Sequence, residues 1–153
     1  MKSVFHAMFG SLLLAMISLF LMASLISEIW YAKDVISTVK FVILQAFFLL
    51  LPMLAITGFL GLSLAKLRRG RLIDGKKIRM IWIILICVVI LLPAAYQLNS
   101  LAEKGEFDFL YLNIQLIEYI FDLLALALLG LNFRDGVKLV DRGLQLLLTK
   151  CIN

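Results

Sequence analysis

Three stretches of this chain contain no Asp, Glu, Lys or Arg: Ser3–Ser27, Phe41–Ala65 and Met80–Ala102, of 25, 25 and 23 residues. A fourth, Phe109–Phe133, is broken only by Glu118 and Asp122. Each exceeds the roughly 20 residues a helix needs to cross about 30 Å of hydrocarbon. Backbone in lipid must satisfy its own hydrogen bonds, which a helix does within one segment. The expected fold is therefore an all-α membrane protein, a four-transmembrane-helix bundle. Its spans are expected at about residues 4–27, 35–66, 80–98 and 109–132, in one integral membrane domain covering 1–153.

With 63% hydrophobic and 16% charged residues, the composition excludes a soluble globular chain, which runs nearer about 45–50% apolar. Lys2 before an apolar run resembles the start of a signal peptide. Signal cores, however, are about 7–15 residues long, and Glu28-Ile29-Trp30-Tyr31 reads as an interface anchor.

Basic residues sort by side. Lys2, the segment Lys66–Arg79 and the tail from Arg134 onward hold twelve of the fifteen Lys and Arg. The positive-inside rule then places both termini and the central loop in the cytoplasm, consistent with a bacterial inner membrane. The loops Glu28–Asp34 and Asn99–Asp108 face outside. Topology and anionic lipid headgroups account for the basic loop; nucleic acid is not an expected partner. Asp74-Gly75 and Arg134-Asp135-Gly136 both read as turns. After the second, Val137, Val140, Leu144, Leu147, Leu148 and Cys151 recur at helical spacing, predicting a C-terminal amphipathic surface helix over about 137–152.

The fourth span carries the chemistry. Tyr111, Gln115, Glu118 and Asp122 follow one another at spacings of four, three and four, which puts them on one narrow helical stripe. A carboxyl in mid-span is costly against lipid, about 2.5–3.5 kcal/mol on an insertion scale, so the stripe is expected to face other helices. Lys40 lies at matching depth in the second span, either snorkelling outward or pairing with Glu118. Gln45, Tyr96 and Gln97 fall in the same half. Two carboxyls one turn apart resist ionising together, so one of Glu118 and Asp122 is expected to hold a proton.

Other features are less informative. Ala7, Ser11, Ala15 and Ser18 form a small-residue face on span one, as do Thr57, Gly61 and Ala65 on span two; both are expected at close helix contacts. Pro52 is expected to kink the second span. His6, the single histidine, reads as an interfacial or hydrogen-bonded side chain. Cys87 and Cys151 are too far apart in depth to suggest a disulfide, and no metal-ligand, nucleotide or nucleophile–base motif is present. The cofactor is unknown, and no enzyme activity is expected.

Three functional readings follow. One is an outward-facing polar pocket for a small amphiphilic ligand, quinone-like molecule, lipid or cation, with Glu118 and Asp122 as proton-bearing groups, Lys40 as counter-charge, and Gln115, Tyr111 and Tyr96 orienting the ligand. A second is an accessory or assembly subunit of a larger membrane complex, or a homo-oligomer. In the third, the stripe is only interhelical glue fixing register.

Overall fold

The computed structural model describes residues 2–66 and 71–152, with side chains described for 5–61, 63 and 74–137. The chain is helical nearly throughout: α1 (Lys2–Trp30), α2 (Lys33–Lys66), α3 (Arg71–Leu85), α4 (Leu92–Glu103) and α5 (Phe109–Ile152). Residues Ile86–Leu91 form a π-helical segment joining α3 to α4 without a break. Four rods are long and apolar enough to cross a membrane: Phe5–Trp30, Lys33–Gly61, Asp74–Glu103 and Phe109–Val137.

The rods form a closed ring. Helix α1 packs on α2 and α5, and the α3–α4 rod packs on the same two helices from the other side. Short connections make sequence neighbours antiparallel, as in an up-and-down bundle. Only Tyr31 and Ala32 separate α1 from α2. The α4–α5 turn is built by two local devices. Gly105, at φ +74°, lets the Gly105 amide donate to the Ala102 carbonyl and the Glu106 amide donate to the Leu101 carbonyl, a Schellman close. Asp108 then caps α5, its Oδ1 accepting from the Tyr111 amide at 3.2 Å. Both turns lie at what we term the Lys40 end; the start of α1, the end of α2 and the start of α3 lie at the basic end.

The core runs down the middle of the ring. Leu13 and Ile17 of α1 meet Ile43, Phe47 and Leu50 of α2, with Ile83, Cys87, Leu91, Ala125 and Leu129 from the other two rods. Bulky apolar side chains such as Leu19, Phe48, Phe59, Val89 and Leu116 point outward, as lipid-facing positions of membrane helices do. Pro52 sits inside α2, which runs on as a helix beyond it. The π segment has a local cause. Pro93 has no amide hydrogen, and in a regular helix its ring would crowd the Val89 carbonyl. The wider turn, in which the Leu92 amide donates to the Cys87 carbonyl, relieves that crowding.

Several expectations are corrected. Asp74-Gly75 is not a turn but part of the first turns of α3, where Asp74 suits the positive end of the helix and lies 3.6 Å from Lys77. Nor does Arg134-Asp135-Gly136 break the chain, because α5 continues through it to Ile152. Asp135 is held inside the bundle by Arg79 at 2.8 Å, which removes the solvent-seeking character on which the turn reading rested. The amphipathic faces expected in 138–152, and the loop residues Arg68 and Arg69, lie outside the described side chains. The small face of α1 also points the wrong way: Ala7, Ser11 and Ala15 are exposed, and Ser11 and Ala15 border a shallow groove with Phe5, Met8, Phe9 and Leu12. The buried stripe of α1 is instead Leu13, Ile17, Leu21 and Ser24, because side chains of that size fill the centre of the ring. On α2 the expectation fares better, with Thr57 buried and the His6 ring lying on Gly61.

Candidate functional site

Three rods bring polar side chains together at the Lys40 end. From α2, Lys40 is 1% exposed and its Nζ donates to Glu118 Oε2 of α5 at 2.9 Å and to Ser24 Oγ of α1 at 2.6 Å. Gln115, one turn from Glu118, donates from Nε2 to the same Glu118 oxygen at 2.7 Å and to Ser24 Oγ at 3.2 Å. Thus one ammonium and one amide converge on one carboxylate oxygen and one hydroxyl. Toward the end of the bundle, the Tyr111 hydroxyl donates to Glu28 Oε1 at 2.7 Å, and the same oxygen lies 3.8 Å from Lys40 Nζ. Burial of this kind persists only where hydrogen bonds replace water, and Lys40 is supplied with two acceptors and a further carboxylate within ion-pair range.

Local sequence explains the convergence. Tyr111, Gln115, Glu118 and Asp122 are all buried, on one face of α5 as their spacing requires. The stripe of α1 that fills the core, Leu13, Ile17, Leu21 and Ser24, continues one further turn to Glu28. Phe107 packs edge-on against Tyr111, with ring centroids 4.9 Å apart, and lies beneath the Lys33 ammonium.

Asp122 differs from its neighbours. It is 5% exposed and has neither a hydrogen bond nor an ion pair among the described residues. Two fully buried side-chain atoms in this region lack a hydrogen-bond partner: Gln115 Oε1 and the Tyr119 hydroxyl. The cluster therefore contains one cation, Lys40, and three carboxyls, Glu28, Glu118 and Asp122. Beyond Asp122 toward the basic end the interior is apolar, through Leu13, Leu50, Ile83, Ala125 and Leu129. Among the described residues, no group of three His, Cys, Asp or Glu side chains is placed to hold a metal ion.

Of the residues singled out from the sequence, Lys40, Gln115, Glu118 and Tyr111 belong to one network, and Asp122 sits one turn deeper. Tyr96 does not join them. It is 62% exposed, on the opposite face of α4 from Ala95 and Leu98, because matching depth along a span says nothing about which way a side chain turns. Gln45 and Gln97 are exposed for the same reason. Ser24, Glu28 and Tyr119 were missed. The signal for the α1 pair is the register of Leu13, Ile17 and Leu21, which continues at helical spacing to Ser24 and Glu28.

A second buried ion pair sits at the basic end. Arg79 Nη2 donates to Asp135 Oδ2 at 2.8 Å, and Arg79 Nη1 donates to Asn132 Oδ1 at 3.3 Å. His6 donates from Nδ1 to the Thr57 carbonyl at 3.1 Å, so it is a hydrogen-bonded histidine between α1 and α2.

No known protein family, curated protein or solved structure matches this chain. Its class rests on the fold and the interior alone: a small four-helix membrane protein with charged residues buried among its helices.

Proposed function

We propose that the chain is a non-enzymatic membrane protein that binds a proton or a small organic cation from the Lys40 end, at Asp122. The carrying observation is that Asp122 is buried without a partner beside a network that already holds two carboxyls, Glu28 and Glu118, and one cation, Lys40. An isolated ionised carboxylate in such surroundings is costly, so the site favours either a proton on Asp122 or a cation that replaces it. Gln115 Oε1 and the Tyr119 hydroxyl supply unspent acceptor capacity nearby. Lys40, held by Glu118 and Ser24 and within ion-pair range of Glu28, offsets one of the three carboxylates, and a proton or cation at Asp122 offsets a second. The apolar half beyond Asp122 closes the site toward the basic end, the end that the positive-inside rule puts in the cytoplasm.

The test is native mass spectrometry of the protein released from mild detergent, with an absorption spectrum of the same sample. A small molecule retained by the wild type and lost in Asp122→Asn supports the reading and identifies the occupant. A bare protein that also takes up no proton on acidification, relative to Asp122→Asn, overturns it.

The outward small face of α1 favours a second reading, that of an accessory or assembly subunit. Ala7, Ser11 and Ala15 are the kind of residues that admit a close-packed helix in lipid. Stoichiometric copurification of another membrane protein, lost in Ser11→Leu, supports that reading.

A further inference from the structure

Three glycines at the basic end each lie beneath a basic side chain. A Cβ on Gly61 of α2 would stand 3.0 Å from the His6 ring; one on Gly75 of α3 would stand 3.3 Å from Arg79 Nη2; one on Gly136 of α5 would stand 3.4 Å from Lys76 Nζ. None of these glycines makes a turn, since all three are helical. Their use is to let three basic heads lie flat against neighbouring backbone. Lys76 crosses from α3 to α5, its Nζ lying against Gly136, next to Asp135.

From this arrangement we propose that Lys76 and Arg79 form a binding site for the phosphate of an anionic phospholipid headgroup. Their donors are only partly used. Arg79 spends one hydrogen each on Asp135 and Asn132, and the rest of its guanidinium fork remains. Lys76 is half-buried and has no ion-pair partner among the described residues. Asp135 does not repel the ligand as a free acid would, because Arg79 and Arg134 flank it at 2.8 and 3.5 Å. Its role is to position the Arg79 head. The site lies at the end of four apolar rods, where a headgroup sits with its acyl chains alongside the helices, and basic pockets between membrane helices suit such lipids. This site shares no residue with the Asp122 site and does not depend on it.

The experiment is native mass spectrometry of the full chain in detergent titrated with dioleoylphosphatidylglycerol or dioleoylphosphatidylcholine. The wild type should retain the anionic lipid in preference to the zwitterionic one. Lys76→Gln should weaken that retention about five-fold, the worth of one basic contact. The control is Lys77→Gln, the same change in charge at a neighbour paired with Asp74 at 3.6 Å; it should retain lipid like the wild type. Equal loss in both variants, retention unchanged in Lys76→Gln, or equal retention of the two lipids overturns the proposal. Displacement of the lipid by millimolar inorganic phosphate also overturns it, in favour of a free-anion site.

Discussion

Lys40 and Glu118 stand 78 positions apart in the chain, and their charged atoms meet at 2.9 Å with neither side chain more than 5% exposed. The contact ties α2 to α5, which face each other across the ring rather than sitting side by side. It therefore constrains the whole bundle, where a contact between neighbouring helices would constrain one seam.

Breaking the pair from one side leaves a buried charge uncompensated. Lys40→Met and Glu118→Gln should each destabilise the protein by about 3–5 kcal/mol. The double variant should lose less than the sum, with a coupling of about 0.5–3 kcal/mol. Unfolding of all four proteins in a mixed-detergent titration measures this, and additive losses would show that the two side chains act separately.

Asp122→Asn should behave differently. Asp122 makes no hydrogen bond or ion pair among the described residues, so an amide of the same shape should change stability by no more than about 1 kcal/mol. Infrared difference spectroscopy on acidification should show the carbonyl band of a protonated carboxylic acid in the wild type and not in Asp122→Asn. A band that persists in the variant would assign the proton elsewhere.

At the other end, Arg79 joins α3 to α5 through Asp135 and Asn132 together. Lysine has one compact head and cannot reproduce a two-pronged contact, so Arg79→Lys should not restore wild-type stability. Arg79→Met should cost about 3 kcal/mol, the low end for a broken buried pair, since Arg134 remains 3.5 Å from Asp135. Thermal unfolding followed by tryptophan fluorescence checks the order: wild type, then Arg79→Lys, then Arg79→Met.

Gly61→Ala would place its methyl 3.0 Å from the His6 ring, tighter than most carbon contacts, so the ring must shift. Overpacking of this kind costs about 1–3 kcal/mol. The loss should shrink when His6→Ala removes the ring. If Gly61→Ala is equally harmful in both backgrounds, the crowding lies elsewhere.

Gly105→Ala tests backbone alone. Nothing lies within 4 Å of the added Cβ, but φ is +74°, a region that costs a residue with a Cβ about 1–2 kcal/mol. The loss should appear in the stability of the bundle without any change in lipid or ligand retention.

Much of this protein was legible in its sequence. Four uncharged or nearly uncharged runs fix four long helices, because no other structure lets a segment of that length keep its backbone bonded in lipid. The spacing of Tyr111, Gln115, Glu118 and Asp122 likewise fixes a shared face, since helical geometry leaves it no freedom. Which partners that face meets is another matter. Depth along a span equates Tyr96 with Tyr111, and only packing turns one out to 62% exposure and the other in to 2%. The same holds for Ser24 and Glu28, recruited because the bulky side of α1 fills the ring. Asp135 and its glycine neighbour read as a turn by local chemistry. Tertiary structure supplies Arg79 for the acid and a resting place for Lys76 on Gly136, so the helix continues. Local sequence sets what each segment can be; the charges and glycines acquire their meaning from contacts between helices that no single segment contains.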